Sequence, residues 1–136
     1  MAARKSMKVL YELPPQSTAP NEGVQFWSVI RFEYGVRDYG WCRCGIRFKG
    51  VAARRERDEM CTTPWHLGSS DKLVEIEDSD WLKEICADTC EDWRPLYQKK
   101  HHYMINLRDA DTVELIADSW ELLPEELGEW PKIRLK

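Results

Sequence analysis

The chain has 136 residues, 43% of them apolar and 32% charged, with seven Trp, five Tyr and three Phe, which is enough bulky apolar surface for a packed core and too much for a disordered chain. No apolar run approaches the roughly 18 to 20 residues that cross a membrane, and the basic start Met1–Lys8 meets Glu12, Pro14 and Pro15 before a signal-peptide core of about 7 to 15 apolar residues can form. The net charge of −4 is uneven: residues 1–70 hold 11 Lys and Arg against 7 Asp and Glu, and residues 71–136 hold 9 against 17, so an acidic face that repels phosphate backbones is expected.

Residues 8–13 read as a first strand, stopped by Pro14 and Pro15, and the Pro, Ser, Thr, Asn and Gly of 14–23 read as a loop. A long strand follows over 24–34. Phe26, Ile30, Phe32 and Tyr34 fall on one face, and Gln25, Trp27, Val29, Arg31 and Glu33 on the other. After a turn at Gly35–Gly40, residues 41–49 repeat the alternation, with Cys42, Cys44, Ile46 and Phe48 on the apolar side and Trp41, Arg43, Gly45, Arg47 and Lys49 opposite. The two strands are expected to pair as a hairpin. The mixed-charge run Arg54–Glu59 and the Pro- and Ser-containing stretch to Ser70 read as a solvent-facing connection.

Residues 73–76 suit a short strand. Asp78 or Ser79 then suits a helix cap, and Leu82, Ile85, Cys86, Thr89, Cys90 and Trp93 recur at the spacing of one helical face until Pro95 ends it. Residues 101–107 return to alternation, with Tyr103, Ile105 and Leu107 on one side and His102, Met104 and Asn106 on the other, and 112–117 run back as a second hairpin. The stretch from Trp120 to Trp130, broken by Pro124 and Gly128, is expected to be a helical turn and an irregular tail.

The element order points to an α+β fold: a mainly antiparallel sheet of about five to six strands with one main helix packed on one face, in a single domain whose ends at 1–6 and 131–136 are flexible. Five Cys, an odd number, in a chain without a secretion signal point to reduced thiols and a cytoplasmic setting.

Several constellations carry chemistry. Cys42 and Cys44 share a strand face, and Cys86 and Cys90 share a helix face; four converging thiols suit structural zinc. Zinc-binding cysteine pairs usually come from tight turns rather than a strand and a helix, so no metal and no cofactor is assigned. Cys61 and His66 are a thiol and an imidazole five positions apart, too little to define a hydrolase. His101 and His102 point to opposite faces of a strand, which leaves one at a rim or buried and hydrogen-bonded.

The outward face of the first hairpin interleaves Trp27, Arg31, Trp41, Arg43 and Arg47, residue types that dominate binding hot spots, and Trp120 extends that aromatic surface unless the tail itself covers the sheet. The expected activity is non-enzymatic protein binding, of the kind an immunity or inhibitor protein uses against a basic partner, with Glu75–Asp80 and Asp111–Glu129 steering association. Homodimerisation through the same face is a further expectation. Two alternatives stand beside it: single-stranded nucleic acid bound on the Trp and Arg face, disfavoured by the net charge, and an enzyme using Cys61 and His66 or carboxylates.

Overall fold

Alternation over residues 29–49 does fold into a hairpin. Ile30 lies opposite Ile46 and Phe32 opposite Cys44, so apolar side chains of both strands share one face. The computed structural model describes residues 6–15, 17, 28–36, 40–107 and 111–128. Its strands are β1 (Met7–Glu12), β2 (Val29–Val36), β3 (Gly40–Lys49), β4 (Ala53–Arg57), β5 (Lys72–Ile76), β6 (His101–Asn106), β7 (Thr112–Ala117), β8 (Ser119–Leu122) and β9 (Glu126–Gly128). Its helices are α1 (Asp80–Asp88) and α2 (Arg94–Gln98), with short 3-10 turns at Glu59–Cys61 and His66–Ser69.

The fold is α+β and antiparallel with one main helix, as the element order implies. The strands divide between two sheets: a five-stranded sheet in the order β1-β5-β6-β7-β4, and a smaller one in the order β2-β3-β8, with β9 pairing farther along β3. The cause lies in β6 and β7. His102, Met104 and Asn106 alternate with Tyr103 and Ile105, yet both sets are buried, and so is every residue of β7. A sheet buried on both faces needs a covering layer on each side. On one side Leu73, Tyr103, Ile105 and Leu115 meet Ile30, Phe32, Ile46 and Phe48 of the smaller sheet in a common core. On the other, Val74, Ile76 and Met104 pack with Met7 and Trp65, and Trp81 of α1 stands edge-on over His102.

Three stretches depart from the sequence reading. Residues 53–57, expected as a solvent-facing connection, form β4, paired to β7 from Ala53 opposite Ile116 to Arg57 opposite Thr112. β4 is an edge strand, and charged side chains are what keep an open edge from recruiting other chains, so its charge run disguised it as a loop. Pro95 does not end the helix. α1 stops at Asp88, and Pro95 falls in the first turn of α2, where its missing N–H is not needed. Residues 119–128, expected as a helical turn and irregular tail, instead form β8 and β9 along the free edge of β3. Of the expected turn at Gly35–Gly40, Gly35 and Val36 extend β2 and Gly40 opens β3, the pairing running on to Val36 opposite Gly40. Residues 37–39, the expected strand residues 24–27, residues 108–110, Trp130 and both chain ends lie outside the described residues. Among the described residues no helix is long and apolar enough to cross a membrane.

Gly50 closes the crossing from β3 to β4 at a φ of 65°, and a methyl group there would collide with the Asp118 carboxylate. That carboxylate is already engaged: Lys100 Nζ donates to Asp118 Oδ1 and to the Gly50 carbonyl, both at 2.8 Å. Gly50→Ala is therefore expected to cost about 2 kcal/mol, through left-handed strain and loss of the lysine clamp. Urea unfolding checks this; a variant as stable as the parent would mean that the carboxylate swings aside freely.

Candidate functional site

The hairpin face chosen from sequence is largely spent on internal contacts. Trp27 lies outside the described residues. Trp41 is buried, with Gly35 and Gly128 as its cross-strand neighbours. Arg43 lies 5.5 Å from the Trp41 ring and pairs with the buried carboxylate of Glu33 at 3.2 Å. Arg31 is half-buried beside Gly45, over which Leu123 also folds. Arg47 is exposed and shares Glu121 with Lys49, at 3.5 and 3.6 Å. Trp120, half-buried, packs on the core 6.2 Å from Tyr11.

The two cysteine pairs do not converge. Cys44 belongs to the core between the sheets, whereas α1 packs on the opposite side of the five-stranded sheet, beside His102. Burial pushes the Cys42 and Cys44 thiols up, and they donate to Glu125 Oε2 and the Leu123 carbonyl, each at 3.4 Å. Burial, followed by hydrogen bonds to Cys42 and Glu125, raises Tyr34 beside them. Among the described residues no group of three or more His, Cys, Asp or Glu is arranged to hold a metal ion. Cys61 is exposed on its 3-10 turn, while the His66 ring is buried with Nδ1 2.6 Å from Thr63 Oγ1.

The acidic stretches are also partly consumed. Glu75 meets His101 at 2.7 Å, Glu77 accepts from Ser6 at 2.9 Å, and Asp118, Glu121 and Glu125 have the partners already described.

Sequence reasoning missed a polar relay under α1 that is buried from Ser79 through His102 to Glu114 and ends on the exposed Arg55. Ser79 caps the helix: its Oγ accepts the Leu82 N–H at 3.0 Å and lies 2.7 Å from His102 Nδ1. His102 Nε2 is 2.7 Å from Glu114 Oε1, and Arg55 donates to both Glu114 oxygens, at 3.1 and 3.0 Å. The Arg55 guanidinium in turn lies 4.0 Å over the Trp81 ring. Burial alone would raise the Glu114 carboxyl, but hydrogen bonds from His102 and Arg55 and their charges outweigh it and hold it at about 2. Glu114 is therefore a carboxylate at neutral pH, so His102 Nε2 faces it as a proton-bearing donor, while Nδ1 shares a hydrogen bond with the Ser79 hydroxyl. The order serine, histidine, carboxylate resembles a nucleophile relay. Ser79 Oγ, however, is bound to the backbone and its residue is buried, so the arrangement serves to fix the helix. The signal available in the sequence was Glu114 itself, a charge inside the apolar run Val113–Ala117.

A different aromatic and acidic surface stands at the corner of α1 and α2. Trp93 and Leu96 are 58% and 56% exposed, three residues apart, where the Leu96 N–H bonds the Trp93 carbonyl. Glu84 and Asp88 of α1, and Glu91 and Asp92 of the connection that leads to Trp93, are all exposed. Trp93 was placed by sequence on the packed face of a continuous helix; the break after Asp88 turns it outward. Comparison with family models, with curated proteins and with solved structures finds no match for this chain.

Proposed function

We propose that this chain is a cytoplasmic protein-binding module that docks a basic partner on the α1–α2 corner, an immunity- or inhibitor-type role being its concrete form. The observation that carries the reading is the exposure of Trp93 and Leu96 in a segment whose Glu84, Asp88, Glu91 and Asp92 are exposed as well. Exposed indole and leucine offer the desolvation energy of a hot spot, and surrounding carboxylates select and steer a cationic surface. Five free cysteines fit a reducing compartment. The nucleic-acid reading has less support, because Arg43 and Arg47 are paired with Glu33 and Glu121.

The test is affinity capture from the native host at moderate salt, with the wild-type chain and a Trp93→Ala/Leu96→Ala variant side by side. The expected catch is a basic protein, released as salt rises and bound at least about thirtyfold more weakly by the variant, whose thermal midpoint stays unchanged. A partner retained equally by both chains, or an acidic one, sinks the reading. Oligonucleotide binding at low salt that disappears in Arg43→Ala/Arg47→Ala would put the nucleic-acid reading in its place.

A further inference from the structure

Residues 78–99 sit between two fixed points. Upstream, the Glu77 N–H bonds the Ser6 carbonyl at 3.0 Å while Ser6 Oγ donates to the Glu77 carboxylate. Downstream, Lys100 is clamped to Gly50 and Asp118. Between these points no residue of α1 or α2 is buried, in contrast to the strands beneath them. The two helices are stapled to each other: Arg94 Nε donates to the Cys86 carbonyl at 2.9 Å and its Nη2 to the Thr89 carbonyl at 3.0 Å. Asp78, just before the cap, has a φ of 53°, a left-handed conformation that suits a pivot residue.

We propose that α1 and α2 form one hinged arm, pivoting near Asp78 and Lys99 and latched to the five-stranded sheet by the buried Ser79–His102–Glu114 relay, the exposed Arg55 that closes it and the Trp81 ring. The arm opens as a unit while the two-sheet sandwich stays closed. Three features support this. Helices with no fully buried side chain gain little from apolar packing, so the polar latch carries an unusual share of their docking. The Arg94 staple makes the pair move together. The fixed points at Glu77 and Lys100 confine the motion to the segment between them. This inference goes beyond the docking reading and does not depend on it, since the arm would open whatever Trp93 and Leu96 bind.

The three histidines of the chain are built-in reporters of opening. His102 and His66 are almost equally buried, 3% and 2% exposed, but only His102 has the Ser79–Trp81 segment over it. Diethylpyrocarbonate, which carbethoxylates accessible neutral imidazole, is applied to the folded protein at neutral pH and each site is read by mass spectrometry. In the wild type His102 is expected to react faster than His66. In Ser79→Ala and in Arg55→Ala its rate is expected to rise about tenfold, with His66 changed less than about twofold. Arg55→Ala leaves the helix cap intact, so it separates unlatching from simple loss of the cap. Parallel acceleration of His66 and His102 would mean global loosening, and His102 as unreactive as His66 in all three proteins would mean a fixed helical layer; either overturns the proposal.

Discussion

Glu114→Gln is expected to lose about 3 kcal/mol of stability at neutral pH, the equivalent of a carboxyl held at about 2 in the folded chain against an ordinary 4.5. The sign follows from the depressed value: the contribution is fully present above pH 4.5 and is lost as pH falls toward 2. Wild-type stability should therefore decline across that window more steeply than that of the glutamine variant. The physical origin is a carboxylate buried on β7 whose partners among the described residues are His102 and Arg55, so neutralising it removes the charge that both partners address and one of the two acceptor oxygens. Urea midpoints measured at several pH values for both proteins check it. Parallel curves would show that the carboxylate is not the group whose protonation matters.

Phe48→Ala should be the more damaging change, costing about 3 to 5 kcal/mol out of a total that for domains of this size is about 5 to 15. Phe48 is buried on β3 with its ring 5.4 Å from that of Tyr103 on β6, so it fills the space where the two sheets meet. If the sheets share one cooperative core, amides of β3 and β6 lose hydrogen-exchange protection in step. Loss confined to β2 and β3 would show instead that the smaller sheet unfolds by itself.

The alternation over Ile30–Phe32 and Cys44–Phe48 named one face of a hairpin correctly, because a period of two is a property of the strand alone. The helix cap, a role that Ser79 fills, was legible to within two residues, Asp78 or Ser79, since a short side-chain oxygen serves its own neighbouring backbone. His102 and Glu114 were not, because their bond spans two strands and depends on the register that places His102 beside Ile116 and Met104 beside Glu114. Trp41 and Trp93 exchanged roles for the same reason. The exposure of an indole depends on what the rest of the chain lays against it: Trp41 is buried between two neighbouring strands, and the helix break after Asp88 leaves Trp93 exposed.

By itself, the order of residues determined the strands of both hairpins, the cap of the main helix and the α+β class, all of which follow from local periodicity and short-range hydrogen bonding. Only the tertiary structure decided that the strands divide between two sheets, that the charged run at Ala53–Arg57 completes one of them, and that the carboxylates of the acidic half are partly spent on His102, Arg55, Lys100 and Arg47. Those outcomes rest on contacts between residues far apart in the chain, where edge pairing and burial on both faces of β6 and β7 outweigh any local preference.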